Sequence, residues 1–247
     1  MQDIEMTLSE KLGIFALDDI RYFLRDNPVK ASAADVASGA KSVFLVLPED
    51  RLEELKDLVR LISTQVVKAI EMRTEDAPKT TVVILDELGK IGRIPNLEGM
   101  LATCRSKRCS VVMAVQDISQ LEVSYGKETA RTLVNLAEIT NVLSCRDNAS
   151  AKMICEWAGT FQETRISTSS KDLVSTGNST ISKAQRNILE PSDLMHLQER
   201  GEELLFIKGT MYCPQKIYYF RDPDLAKISS AIEAVNAQLA GPCDIPV

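Results

Sequence analysis

A chain of 247 residues, 45% hydrophobic and 26% charged, is long enough for one large domain or two small ones and has the composition of a folded globular protein, which excludes general disorder. Its formal charge of −6 excludes nucleic-acid binding by bulk positive charge, leaving only a local basic patch for such a contact. No run reaches the roughly 18 apolar residues of a membrane span, and the first ten residues hold no apolar signal core, so a soluble chain is expected.

Residues 1–30 read as a lead-in with a helix around 17–24, and the Ala/Ser-rich piece at 30–40 is a short helix or a loop. Ser42-Val-Phe-Leu-Val-Leu47, closed by Pro48, is a continuous apolar run of the kind that forms a strand buried on both faces. From 51 to 72 apolar residues recur at Leu52, Leu55, Leu58, Val59, Ile62, Val66, Ala69 and Ile70, one face of a long amphipathic helix. Its acidic-then-basic order suits the helix dipole. A second buried strand is expected at 81–85, then a helix at 95–104 with Pro95 at its first position. A strand at 110–115, a helix at 127–137, a strand at 139–145 and a helix at 149–158 follow, the last ending at Gly159, a suitable C-cap. Strands alternating with helices of this length predict α/β architecture, right-handed βαβ units around a mostly parallel sheet flanked by helices.

The alternation stops at 160–185, where Ser/Thr runs at 167–170 and 175–180 predict an exposed loop or loose hairpin. Beyond it, 203–208 and 216–220 read as two closing strands, antiparallel through a turn at 209–215. A last helix is expected at 224–239, and the tail at 241–247 is expected to fray. No internal repeat is evident.

The strongest chemical signal is Val82-Val-Ile-Leu85 leading into Asp86 and Glu87. A buried strand delivers carboxylates, fixed in place, to its C-terminal end. There an Asp can hold a magnesium shell, and an adjacent Glu can polarise an attacking water. The same pattern also describes a strand ending in two solvated acids at a helix N-terminus. Gln116 follows the next strand, where polar groups of an α/β sheet face the ligand crevice, or it simply caps that strand. Arg105, in Cys104-Arg-Ser-Lys-Arg108, is either a finger that reaches a γ-phosphate across a subunit boundary or part of a solvated basic turn. Lys107 and Arg108 of that turn could touch DNA phosphates in a salt-sensitive contact. His196 reads as a surface or packing residue and Trp157 as core. Six cysteines (104, 109, 145, 155, 213, 243) lie scattered without a C-x-x-C pair and beside a single histidine, which points to reduced thiols rather than a zinc site or a disulfide framework.

Taken in order, Leu85-Asp-Glu-Leu-Gly-Lys-Ile-Gly-Arg-Ile-Pro-Asn-Leu-Glu98, Leu101-Ala-Thr-Cys-Arg105, Val115-Gln-Asp-Ile-Ser-Gln-Leu121 and Tyr125-Gly126 resemble the ATPase core of type IV secretion coupling proteins, the TraG-like motors of conjugative DNA transfer. Val43-Phe-Leu-Val-Leu-Pro48 with Asp50-Arg51-Leu52, and Pro191-Ser-Asp-Leu194 leading to Gly201-Glu-Glu-Leu-Leu205, carry the resemblance across residues 10–222. It implies a partial RecA-like P-loop NTPase core whose intact form uses ATP and Mg2+. Asp86 would be the Walker B aspartate holding the metal through water, and Glu87 the catalytic glutamate. Gln116 would sense the γ-phosphate, and Arg105 would act as an arginine finger in trans. The resemblance further implies a homo-hexameric ring on the cytoplasmic face of the bacterial inner membrane. Such a ring hands single-stranded DNA with its relaxase, or protein substrates, to the type IV secretion channel.

The pattern departs from the family at one place. A Walker A loop, G-x-x-x-x-G-K-[ST], follows a strand, opens a helix and cradles phosphates on backbone N–H groups. Gly39-Ala-Lys41-Ser42 lacks the first glycine at that spacing and precedes a strand. The chain therefore reads as the C-terminal half of such a motor. Residues 1–40 would be a helical lead-in at the all-helical domain boundary, 41–222 a nucleotide-binding domain without Walker A, and 223–247 a C-terminal helix and tail. Autonomous ATP hydrolysis is expected to be negligible, full-length subunits would supply Walker A, and the missing first strand and helix should leave apolar surface uncovered. Two other readings are a catalytically inert, partner-binding module and another ring-forming DNA translocase, such as a DNA-segregation pump.

Overall fold

The computed structural model describes residues 12–24, 31–77, 79–168 and 179–239; the 241–247 tail and the 169–178 part of the Ser/Thr-rich stretch lie outside them. The chain divides into a unit ending at Glu138 and a unit beginning at Ile139.

In the first unit a short 3-10 turn (Gly13–Ala16) precedes α1 (Asp18–Phe23) and α2 (Ala33–Ala37). Ser32 starts α2 with a capping box: Asp35 N donates to Ser32 Oγ at 3.1 Å and Ser32 N donates to Asp35 Oδ2 at 2.9 Å. The expected amphipathic period closes into α3 (Leu52–Glu71), which buries Leu55, Leu58, Val59, Val67 and Ile70. β1 (Thr81–Leu85) and β2 (Cys109–Met113) pair in parallel, Thr81 opposite Cys109 and Leu85 opposite Met113. Between them run α4 (Leu88–Ile91) and α5 (Leu97–Thr103), and after them α6 (Ile118–Tyr125) and α7 (Lys127–Asn135). The core gathers Ile70, Leu88, Ile94, Leu97, Met100 and Leu133, all fully buried, against Val83, Val111 and Met113 of the two strands.

A buried arginine fixes the start of this sheet. Arg73, just past α3, donates from Nη1 to Thr81 Oγ1 at 2.9 Å and to the Arg108 carbonyl at 3.2 Å, and from Nη2 to the Lys79 carbonyl. Thr81 N donates to that same Arg108 carbonyl at 3.0 Å. One guanidinium thus ties the end of α3, the entry to β1 and the turn before β2.

The strand expected at 42–47 does not form. The segment has no ladder partner among the described residues, and Phe44 and Val46 are 87% and 86% exposed. An apolar run becomes an inner strand only when neighbours take its N–H and C=O groups, and β1 pairs with β2 alone among the described residues.

The second unit comprises β3 (Ile139–Val142), α8 (Asn148–Ala158), β4 (Thr160–Thr168), β5 (Ser179–Asn187), α9 (Pro191–Met195), α10 (Leu197–Arg200), β6 (Leu204–Ile207), β7 (Thr210–Tyr212) and α11 (Pro223–Leu239). β3 lies antiparallel to β6, which lies antiparallel to β7. Its core holds Val142, Ile154, Leu194, Leu197, Leu204 and Phe206, with Trp157 packed edge-on to Phe206 at 5.8 Å, the core role expected of it. The Ser/Thr-rich stretch is more regular than a loose hairpin: β4 and β5 pair over nine residues each, from Thr160 opposite Asn187 to Thr168 opposite Ser179. Residues 216–220 form no strand. Lys208 and Gly209, at φ 49° and 80°, make a tight turn that folds Thr210–Tyr212 onto β6 before that segment is reached.

The α/β class stands, with parallel pairing confined, among the described residues, to β1 and β2 and the remaining ladders antiparallel. Among the described residues no helix is long and apolar enough to cross a membrane.

Candidate functional site

β1 delivers its two acids at an abrupt turn. Asp86 is exposed, and no hydrogen bond or ion pair engages its carboxylate among the described residues. Glu87 adopts φ 51°, ψ 47° before α4 begins at Leu88. A left-handed backbone at a residue other than glycine costs on the order of 1–3 kcal/mol, and such conformations gather at functional sites. The turn is held from both sides: Ala114 N donates to Leu85 O at 3.0 Å, and Leu88 N donates to Ala114 O at 2.9 Å. Leu88 itself is fully buried.

This conformation brings Glu87 to the end of β2. Lys90 Nζ pairs with Glu87 Oε2 at 2.5 Å, and Gln116 Nε2 donates to Glu87 Oε1 at 2.9 Å. The Lys90 bond first, and the Gln116 bond second, hold the Glu87 carboxyl below the ordinary carboxylate range. Gln120 Nε2 donates to Gln116 Oε1 at 3.3 Å, and Asp117 caps α6 by accepting Gln120 N at 2.8 Å. Gly89 passes α6 so closely that a Cβ there would lie 2.8 Å from Gln120 Cβ, and Ser124 Oγ donates to the Gly89 carbonyl at 3.0 Å. An open cleft of ≈ 760 Å³ borders this network, with Asp50, Glu53, Lys56, Lys90, Gln120 and Ser124 on its walls. Glu87 and Gln116, expected at one site, meet there. Lys90 and Gln120 went unnoticed in the sequence; their only signal was helical spacing, three residues from Glu87 and four from Gln116.

Arg105 lies elsewhere. It precedes β2 while Gln116 follows it, and the strands are parallel, so it belongs to the opposite end of the sheet from Glu87. The four-residue rise of the ladder alone separates the two ends by roughly 13 Å. The Arg105 guanidinium is exposed and pairs with Glu138 at 3.0 Å. Lys107 shares this end, and Arg108 Nη1 donates to the Ala77 carbonyl at 3.1 Å. His196 is an exposed residue in an ion-pair geometry with Glu199 at 2.9 Å. Burial pushes the Cys109 thiol up to about 11, which leaves it unreactive near neutrality.

The carboxylates of Asp86 and Glu87 with the Gln116 amide are a hard, oxygen-bearing set suited to the water shell of a magnesium ion. For phosphates the described residues offer no glycine-rich turn between a strand and a helix. Gly39 follows α2, and the extended segment after it belongs to no ladder. The residues present fit the metal-and-water side of a nucleotide site and not its phosphate cradle.

Comparison with known proteins identifies the family and the fold. The family profile described as type IV secretory system conjugative DNA transfer matches residues 4–241. The type IV secretion system-coupling protein VirD4 of Bartonella henselae is 25% identical over 199 residues, covering 79% of this chain and 31% of that protein. The conjugal transfer protein TraG of Agrobacterium fabrum is 23% identical over 198 residues, covering 77% and 30%. The chain thus spans about a third of the length of these curated relatives. Among solved structures, the plasmid coupling protein TrwB in complex with ADP and Mg2+ superposes with TM-score 0.62 at 18% identity, over 88% of this chain and 49% of that one. Its trigonal form with sulphate gives 0.63 at 17% identity, over 86% and 49%. The fold of the chain is accordingly the RecA-like α/β fold.

Proposed function

Because the chain belongs to the type IV secretory system conjugative DNA transfer family, we propose that it works as the Walker B half of a coupling-protein motor. That motor delivers relaxase-bound single-stranded DNA, or protein substrates, to a type IV secretion channel. The observation that carries the reading is the bond from Gln116 to Glu87 at the C-terminal end of a parallel strand pair, with Asp86 open beside it. In this reading Asp86 holds Mg2+ through water and Glu87 orients and deprotonates the attacking water. Gln116 couples that carboxylate to the state of the γ-phosphate. Bound ATP and Mg2+ supply the transferable phosphoryl group and its charge neutralisation. As Glu87 stands, Lys90 and Gln116 occupy one oxygen each, so a base role requires at least Lys90 to let go.

The position of Arg105 at the far end of the sheet suits action in trans: a group that cannot reach its own Glu87 can reach a neighbour's site in a closed ring, here proposed as a homo-hexamer. Full-length subunits would supply the phosphate cradle, and Lys107 and Arg108 would lie near a DNA path. In this proposal residues 1–40 are a helical lead-in, 41–222 the nucleotide-binding part and 223–247 a C-terminal helix and tail.

The test mixes this chain with a full-length coupling-protein subunit carrying Arg→Ala at the position matching Arg105, and measures ATP hydrolysis. The expected result is restored hydrolysis that disappears with Arg105→Ala, since an arginine finger contributes on the order of 10³–10⁵ in rate, and that persists with Glu87→Gln, because the full-length subunit keeps its own glutamate. A folded chain that restores nothing would favour the second reading, an inert partner-binding module, for which the lack of a phosphate cradle among the described residues speaks.

A further inference from the structure

The chemistry assigned to Asp86, Glu87 and Gln116 leaves Lys90 without a task, although its ammonium meets Glu87 Oε2 at 2.5 Å. An ion pair three residues apart on an open surface ordinarily contributes little and comes apart readily. Here both partners are set in place. The left-handed backbone of Glu87 brings α4 back over the carboxylate, and Gln116 holds its other oxygen at 2.9 Å. The backbone beneath the lysine is pinned as well. Leu88 is fully buried, Gly89 lies against Gln120, and Ser124 Oγ donates to the Gly89 carbonyl at 3.0 Å. What is left to move is the Lys90 side chain, a flexible stem with a point charge at its tip.

Two cations compete for one oxygen at this place. A hydrated divalent ion at Asp86 and Glu87 needs their carboxylate oxygens as acceptors for its water shell, and Glu87 Oε2 is engaged by an ammonium. With the lysine in place, one of the two carboxylate charges is already balanced. With it withdrawn, both face the ion, and the repulsion between ammonium and metal is gone. The adjoining cleft offers the lysine a second partner. Asp50 and Lys90 both line it. Asp50 is exposed and holds no ion pair among the described residues, whereas Glu53 of the same cleft already pairs with Lys56 at 3.2 Å.

We infer that Lys90 is a resident counter-ion of Glu87 that a divalent cation displaces, its ammonium passing to Asp50 as the cation docks. Lys90 is then a positioning residue: it keeps Glu87 ordered and masked until the metal arrives, and frees it as a base afterwards. The inference rests on the reading of Asp86 and Glu87 as the metal-and-water side of a nucleotide site, and it ties release of the base to cation binding. Mn2+ is the probe, with the free ion counted by electron paramagnetic resonance in solutions of the whole chain. Lys90→Met should bind Mn2+ about five- to tenfold more tightly than the wild type, the effect of removing one charge close to a divalent ion at a partly exposed site. Lys90→Arg keeps the charge and should stay near the wild type. Lys152→Met, which removes the same charge from the exposed face of α8, should change nothing. The gain from Lys90→Met should vanish when Glu87→Gln is added. Asp50→Asn should weaken Mn2+ binding about twofold to threefold in the wild type and leave it unchanged in Lys90→Met. Equal Mn2+ affinity of wild type and Lys90→Met, whether weak or strong, overturns the proposal. So does a gain shared by Lys152→Met, a gain that survives Glu87→Gln, or an Asp50→Asn effect that persists without Lys90. The motor reading fails separately, since a mixture that hydrolyses no ATP leaves these affinities as they are.

Discussion

At Glu87 one carboxylate answers to two partners, and the two can be separated by substitution. Lys90→Met removes the stronger hold, so the Glu87 midpoint should rise toward its ordinary 4.5 in a carboxyl-detected NMR titration, while Gln116→Leu should move it less. The folded-state value lies below the unfolded one. The contribution to stability is therefore present above the ordinary value and is lost as pH falls through the folded midpoint. In Lys90→Met that acid-side loss should shrink, visible as a flatter dependence of the urea midpoint on pH below the ordinary value. Arg73 raises the opposite issue, a buried cation facing carbonyl and hydroxyl oxygens rather than a carboxylate. Its Nε finds no partner among the described residues, so part of the desolvation cost goes uncompensated. Even so, Arg73→Ala takes the donor from the Lys79 carbonyl, leaves the Arg108 carbonyl to Thr81 N alone and frees the entry of β1. A loss of about 2 kcal/mol, read from the urea midpoint, is expected.

Between residues and domains, α6 is the element on which the site depends. Asp117 caps it and adjoins Gln116, so Asp117→Ala should cost about 1 kcal/mol of stability and also loosen the Gln116 bond to Glu87, detected as a rise in the Glu87 midpoint. Gly89→Ala drives a methyl into Gln120 Cβ, which is close to the backbone and cannot swing away; a cost of about 1–3 kcal/mol follows from overpacking. The sequence revealed α3, α8 and α11 almost to the residue, because a 3.6-residue period and its caps are local properties. α6 escaped notice because its apolar residues, Ile118, Leu121 and Val123, form too short and too mixed a stripe. Pairing was less legible than existence. β3 was expected and formed, yet its partner is β6, more than sixty residues along the chain, and no local pattern names such a partner. At the site, Asp86, Glu87 and Gln116 were visible from strand-end logic. The clamp by Lys90 was not, since it needs the left-handed turn that folds α4 back over Glu87.

For the molecule as a whole, the informative feature is a sheet face that stays uncovered. Val82, Ile84 and Val112 are each more than half exposed, while Val83, Val111 and Met113, one step away in the pleat, pack on the core. Strands of a parallel sheet are ordinarily covered on both faces, and a two-stranded sheet is marginal by itself. Here α3, α5 and α7 support one face only, and Val43, Phe44 and Val46 of the unpaired apolar segment are also at least half exposed. If this face is where a ring subunit or the cradle-bearing half of the motor packs, its apolar character matters for assembly and hardly for the free chain. The triple substitution Val82→Thr, Ile84→Thr, Val112→Thr separates the two. On the free chain each change should stay within about 0.5 kcal/mol, as exposed positions do, and should lower the binding of a hydrophobic dye. In the mixed ATPase assay it should abolish restored hydrolysis although Arg105 is intact. A free chain that unfolds on this substitution would mean that the face is already covered, and the assembly argument would fail with it.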